Sequence, residues 1–205
     1  MYRWFRLPLA LVVALVMGQG IAAASTATVS PGGAVTGTTG AVQWTLNTAA
    51  KTLNCTTAGF TATLASATGT LPLTIATNLT WLFGSAFGGG RCTVTGGVGY
   101  TSSCGAATFK ATAVTTGSVT PLSMTGISCA ESLAGSSCRV VITGGVTASF
   151  DNATSRLTLN TTGQTLVASG STCTTLPNDT SVSLTDSTRS ALVYAITPST
   201  TINVT

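Results

Sequence analysis

Apolar residues fall at every second position along much of this chain, and that pattern constrains the fold more than any other feature. Val42, Trp44 and Leu46 alternate with polar neighbours, as do Phe60, Ala62 and Leu64. The same rhythm returns at Val146, Ala148 and Phe150, at Leu157 and Leu159, at Val182 and Leu184, at Leu192, Tyr194 and Ile196, and at Ile202 and Val204. A period of two places one set of side chains on one face of an extended strand and the other set on the opposite face. Thr and Val, abundant here, suit that pleated surface. Past residue 24 no segment shows a convincing 3.6-residue apolar stripe, and Ala130 to Ala134 has room for one helical turn at most. Pro31-Gly32-Gly33, Gly88-Gly89-Gly90, Gly96-Gly97 and Gly144-Gly145 read as tight turns that need positive φ. Residues 146–160, with Asp151 to Ser155 between two alternating runs, read as a hairpin. The expected fold is all-β, an antiparallel β-sandwich or barrel-like structure with Gly-rich hairpins.

Residues 1–24 have the form of a secretory signal peptide. Arg3 and Arg6 supply the positive start, Leu7 to Met17 a short apolar run, and Ala22-Ala23-Ala24 a small-residue cleavage site. The run is about half the ~20 residues a spanning helix needs. Residues 25–205 are then expected to be a single secreted domain without a transmembrane helix or anchoring device; whether it holds one sheet pair or two tandem lobes stays open. Six basic residues remain in it (Lys51, Arg91, Lys110, Arg139, Arg156, Arg189) against Glu131, Asp151, Asp179 and Asp186, a net charge of +2. The basic residues are scattered singly, so no phosphate-neutralising cluster exists and nucleic acid is not an expected partner. Charged residues make up 6% of the chain, against about 25% in an ordinary domain. Edge strands would therefore have few charges to discourage pairing with another molecule, and self-association is open.

The chain has no histidine. Ser-His-Asp and Cys-His catalysis and histidine metal sites are excluded, and no cofactor is expected. Cys55, Cys92, Cys104, Cys129, Cys138 and Cys173 form an even set in an exported chain, which reads as three disulfides. The absence of any Cys-x-x-Cys argues against a zinc site or redox pair. Fifteen pairings are open. Asp151, Asp179 and Asp186 sit in turn-like contexts, where Asp bonds nearby backbone. Glu131, the only Glu, lies between Cys129 and Cys138. A carboxylate pair or a Ser-Lys dyad at Lys51 or Lys110 is less expected than this turn chemistry.

Six asparagines (Asn54, Asn78, Asn152, Asn160, Asn178, Asn203) have Thr two residues later. They read either as glycosylation acceptors or as turn residues leading into Thr-rich strands. Thr-x-Thr repeats such as Thr61-Ala62-Thr63 could order water on a flat sheet, but their spacing is irregular and suits ordinary outward-facing strand residues. Trp81, Leu82, Phe83 and Phe87 make the densest apolar segment. Three adjacent large apolar residues cannot all face one side of a strand. The segment is therefore either core or the best candidate interaction surface, and Trp81 is expected to be more accessible than Trp44. Cys92 to Val98 weakly echoes Cys138 to Val146, which leaves an internal duplication open.

Several stretches together resemble a group of small secreted actinobacterial β-proteins. They are Val29 to Gly37, Leu53-Asn54-Cys55-Thr56, Thr125-Gly126-Ile127, Gly135-Ser136-Ser137-Cys138, the Phe150–Leu159 hairpin and Tyr194 to Ser199. The resemblance implies an exported all-β protein and carries no activity or active site. It implies counterparts of Cys55, Cys92, Cys138 and Cys173, with Cys104 and Cys129 as an added pair. The expected pairing is sequential, Cys55–Cys92, Cys104–Cys129 and Cys138–Cys173; the rival includes Cys92–Cys104 and Cys129–Cys138. The expected function is non-catalytic: a structural, adhesive or ligand-recognition role in the extracellular space or cell envelope, with an unidentified partner there. The alternative is an oligomeric envelope pore built from β-hairpins, which needs an apolar outward band with aromatic girdles.

Overall fold

The computed structural model describes residues 23–84 and 91–205. Among them are seventeen strands and no α-helix. In chain order the first are β1 (Ser25–Ser30), β2 (Gly33–Thr39), β3 (Val42–Leu46), β4 (Lys51–Cys55), β5 (Ala58–Leu64), β6 (Ala67–Gly69) and β7 (Leu73–Phe83). Then come β8 (Cys92–Val94), β9 (Tyr100–Cys104), β10 (Ala107–Ala111), β11 (Val119–Leu133) and β12 (Arg139–Asp151). The last are β13 (Arg156–Leu159), β14 (Leu166–Ser169), β15 (Asp179–Asp186), β16 (Leu192–Thr197) and β17 (Thr201–Val204). Every alternating apolar residue named from the sequence is buried. The 146–160 hairpin is the β12–β13 pair, with Asp151 opposite Arg156.

Eight strands close an antiparallel barrel in the order β12, β13, β16, β2, β5, β7, β10, β11 and back to β12. Its interior is filled by side chains such as Val35, Phe60, Phe109, Phe150, Leu157 and Ile196. Phe60 meets Tyr194 edge-on with ring centres 5.2 Å apart, a favoured aromatic arrangement. Gly37 lies directly opposite Phe60, and a Cβ there would stand 2.2 Å from the Phe60 ring. The missing side chain is what lets the ring lie across the strand. A three-stranded sheet, β17, β1 and β6, covers one end of the barrel. Asn152 pins it: its Oδ1 accepts from the Ile202 N–H at 2.6 Å and its Nδ2 donates to the Ile202 carbonyl at 3.0 Å. Thr120 Oγ1 donates to the same carbonyl.

The β11–β12 hairpin is longer than the barrel and runs out of it. Beyond the bend, β12 pairs with β14, followed by β15, β3, β4 and β8, while β11 pairs with β9. A bridge between Thr93 and Gly99 links β8 to the turn before β9. The outer strands thus curl into a second ring that shares the β11–β12 hairpin with the first. The bend is a β-bulge at Gly126, where pairing steps from Thr125–Gly145 to Ile127–Gly144. Gly144-Gly145 is therefore not the turn expected from the sequence. The pair sits inside β12, where a Cβ on Gly144 would meet the Thr165 carbonyl oxygen at 2.2 Å and one on Gly145 the Met124 oxygen at 2.8 Å. In the echo at Cys92 to Val98, by contrast, Gly96-Gly97 does form a turn, with φ of 98° and 84°. The two stretches fold differently and do not behave as repeats. Residues 130–133 are strand, not a helical turn, because β11 continues across them.

The segment at Trp81 also differs from the surface reading. Trp81 and Phe83 are each 3% exposed, comparable with Trp44 at 1%. Their rings lie 6.0 and 5.8 Å from Trp44, and Trp81 shares its face of the barrel wall with its ladder partner Phe60. Alternation continues through the run, so only Leu82 turns to the other face, where it is half-buried. Phe87, Gly88-Gly89-Gly90 and residues 1–22, where the signal peptide was expected, lie outside the described residues. The buried apolar residues of both rings form one continuous cluster. No described helix is long and apolar enough to cross a membrane.

Three disulfides follow the sequential pairing: Cys55–Cys92, Cys104–Cys129 and Cys138–Cys173. The first joins β4 to β8 and the second β9 to β11, in each case between residues directly opposite in the ladder. The third ties the start of β12 to the β14–β15 loop. All three brace the second ring. Such bonds belong to oxidising, non-cytoplasmic compartments.

Candidate functional site

Chemically distinctive side chains gather at one place, the face of β9 and β11 that looks into the second ring. The inward phase of β11 reads Ile127, Cys129, Glu131, Leu133, so an acid occupies a position otherwise given to apolar residues. β9 runs alongside and sets three same-face pairs in a row: Cys104 opposite Cys129, Ser102 opposite Glu131, Tyr100 opposite Leu133. From β12, Val140 lies opposite Glu131 and Ile142 opposite Cys129.

Glu131 has no exposed surface. Ser102 Oγ donates to its Oε1 at 2.8 Å, and Oε2 has no hydrogen-bond partner. Burial disfavours the charged form and pushes the carboxyl up to about 8, against the smaller opposing effect of the Ser102 hydroxyl. At neutral pH Glu131 is therefore a neutral acid carrying a proton. Tyr100 is buried beside it, and its hydroxyl lies 3.0 Å from Cys55 Sγ. Burial first, and the nearby Glu131 second, raise the Tyr100 phenol well above its ordinary value. Ser102 Oγ also lies 3.8 Å from Cys104 Sγ. A Tyr-Ser-Glu set thus stands between two cross-strand disulfides. The indole nitrogens of Trp44 and Trp81 are also buried without partners.

The other acids are occupied by local structure. Asp179 accepts from the backbone N–H groups of Thr48, Ala49 and Ser181 at 2.8–2.9 Å. Burial alone would raise its carboxyl, but these donors together hold it below the usual value. Asp151 takes the Ala153 N–H and the Thr154 hydroxyl. Asp186 takes the N–H groups of Thr188 and Ser190 and the Thr188 hydroxyl. In both, the Thr hydroxyl is the leading cause of a lowered carboxyl. Lys51 and Lys110 are half-buried, not the desolvated lysines that a Ser-Lys dyad uses.

Five of the six Asn-x-Thr asparagines hydrogen-bond within the fold. Asn152 is the most committed of them. Among the described residues no three metal-ligating side chains come together. The void inside the barrel, lined by Phe60, Phe109 and Phe150 among others, holds about 10 Å3, room for about one water. A shallow groove on the second ring is lined by Thr45, Asn47, Thr161, Ser183, Thr185 and Arg189. Asn47 Nδ2 there already donates to Ser181 and Ser183.

Sequence reasoning named Glu131 but did not place it in this cluster. The signal was the alternation itself, since Glu131 holds the inward phase of Ile127-x-Cys129-x-Glu131-x-Leu133. Comparison with family models, curated protein sequences and solved structures gives no match.

Proposed function

We propose that this is an exported, non-catalytic β-protein of the extracellular space or cell envelope, acting through its outer surface in a structural, adhesive or recognition role. The observation that carries the reading is the barrel wall. Thr197, Thr36, Thr61 and Thr80 are consecutive ladder partners across β16, β2, β5 and β7. Thr197 and Thr61 are exposed, and Thr36 and Thr80 half-buried. They make an uncharged row of hydroxyls over a packed interior. Such a row suits contact with a neutral polymer through hydrogen bonds that salt screens little. The three aspartates engaged by turn donors, and the resemblance to small secreted actinobacterial proteins, support the same reading.

An apolar interior with a hydroxyl-lined exterior is also the reverse of a lipid-facing barrel, which alternates apolar-out and polar-in. It favours surface contact over the pore. Co-sedimentation of the chain lacking residues 1–24 with isolated cell-envelope polymer tests the proposal. Binding should persist at high salt and fall at least ten-fold when Thr36 and Thr61 are both replaced by Lys. Absence of binding, or dye release from lipid vesicles by the unmodified chain, would count against it.

A further inference from the structure

The cluster on β9 and β11 supports a chemistry that the surface role does not use. We propose that the Cys104–Cys129 disulfide is a thiol-exchange site, opened by a dithiol, with Ser102 and Glu131 delivering a proton to the sulfurs set free.

Three independent observations converge. The first is access: Cys104 and Ser102 are half-buried on β9, whereas Cys129 and Glu131 are fully buried on β11. The Cys104 side of the bond is therefore the one closer to solvent, and the side from which a thiolate would approach. The second is placement. The Ser102–Glu131 pair is the next same-face pair along the ladder from the disulfide, and Ser102 Oγ touches both Glu131 Oε1 and Cys104 Sγ. The third is the unpartnered Oε2. A buried oxygen without a hydrogen bond is costly in a folded protein, and such groups concentrate where chemistry needs them.

One thiolate of the dithiol attacks Cys104 Sγ, a mixed disulfide forms, and the electron pair of the broken S–S bond leaves on Cys129 Sγ. A thiolate in that apolar interior is unfavourable, and the neutral Glu131 carboxyl on the same strand face gives it a proton. The resulting carboxylate keeps the Ser102 hydroxyl bond. The second thiol then attacks the mixed disulfide and frees Cys104. The dithiol is oxidised to its disulfide, and the protein pair is reduced to two thiols. The proton that the first thiol released to solvent returns to Glu131, whose own proton stays on Cys129, and the proton of the second thiol ends on Cys104.

Neither other disulfide has this arrangement. Cys55 and Cys92 are both buried, with the weakly acidic Tyr100 as neighbour. Cys173 lies half-buried in a loop, where its backbone and sulfur bond to Ser171 and Leu176. The groups facing Glu131 from β9 and β12 are Tyr100, Ser102 and Val140, none of which carries a charge at neutral pH.

The test is native reduction of the oxidised full chain with graded dithiothreitol, quenching with N-ethylmaleimide and peptide mapping. Cys104 and Cys129 should be labelled at dithiol concentrations at least ten-fold below those that label Cys55 and Cys92. E131Q should slow opening of Cys104–Cys129 about ten-fold or more, as loss of a proton donor does, and leave the rate at Cys138–Cys173 unmoved. S102A, a smaller change, should slow the same bond several-fold. In the unmodified chain, the opening rate at fixed thiolate concentration should fall as pH passes about 8, where Glu131 loses its proton. Labelling of Cys55 and Cys92 at the same or lower dithiol concentration would overturn the proposal. So would wild-type rates in both variants, or a flat pH profile.

Discussion

The two rings share a hairpin and a continuous core, yet they are held shut by different means. The first barrel closes through backbone ladders alone, with each strand hydrogen-bonded on both sides. Its interior is apolar apart from Tyr194 and Thr120, and a glycine opposite Phe60 makes room for the ring. The second ring is built from shorter pieces, including a three-residue β8, and its circuit is completed by the single Thr93–Gly99 bridge. All three disulfides are there, as are the buried acid Glu131 and the Trp44 indole. Where ladder pairing is continuous, the chain can dispense with covalent braces. Where it is broken, cross-links take over. In the first barrel, closure also answers the exposed-edge hazard expected from so few charges, since a closed barrel has no free edges.

This contrast can be broken by substitution, and the largest effects are expected at the ring centres. Phe60→Ala in the barrel and Trp44→Ala in the second ring should each cost about 3–5 kcal/mol in denaturant unfolding. If the rings differ as described, the Trp44 change should also raise protease sensitivity in β3, β4 and β8, and the Phe60 change should not. Uniform sensitivity in both variants would remove the distinction.

Next in size is the pH response of the second ring. Glu131 has its folded carboxyl raised from 4.5 to about 8, so between those values the folded chain holds a proton that the unfolded chain has released. Its contribution to stability is complete below about 4.5, falls by about 1.4 kcal/mol per pH unit at most up to about 8, and is constant above. E131Q should abolish that slope in urea titrations. Asp179 acts in the opposite sense: its lowered carboxyl loses its contribution as pH falls through the folded value.

Smaller again are the glycine contacts. Gly37→Ala forces a side chain into the Phe60 ring, and Gly144→Ala pushes one into the Thr165 carbonyl at a positive φ of 137°. Each should cost roughly 1–3 kcal/mol. The Gly144 change should lose more, because backbone cannot swing aside as a ring can. Equal losses would mean that the bulge is more compliant than its geometry suggests. The smallest expected difference is between the two tryptophans. In single-tryptophan variants, acrylamide should quench Trp44 and Trp81 within about two-fold of each other, as their similar burial requires. A larger quench at Trp81 would restore the surface reading of that segment.

The inward residues were legible because alternation is a local signal, and Phe60, Tyr194 and Leu184 all face inward as their phase requires. The sequential disulfides also matched expectation. Barrel closure was not legible, because β11, β12 and β13 follow one another through short turns, but β13 meets β16 and β16 meets β2 through pairings that no local pattern encodes. Gly-Gly reads the same whether it serves a turn, as at Gly96-Gly97, or a bulge, as at Gly144-Gly145. Only the packing of Thr165 and Met124 against the second pair distinguishes them. Trp81-Leu82-Phe83 looked like a break in alternation because Leu82 is apolar, yet its phase was intact. Glu131 was read by residue type, as an acid near a cysteine, when its strand phase carried the information.

The barrel stands on its ladders and the second ring on its cross-links. Hydrogen exchange on the Cys55→Ser/Cys92→Ser variant, measured against the unmodified chain, addresses it most directly. A bridge closing a loop of this length is worth about 3–4 kcal/mol, so amides of β3, β4 and β8 should exchange roughly 100- to 1,000-fold faster, while those of β2, β5 and β16 keep their protection. Loss of protection by the same factor in all six strands would show a single cooperative unit and contradict the account.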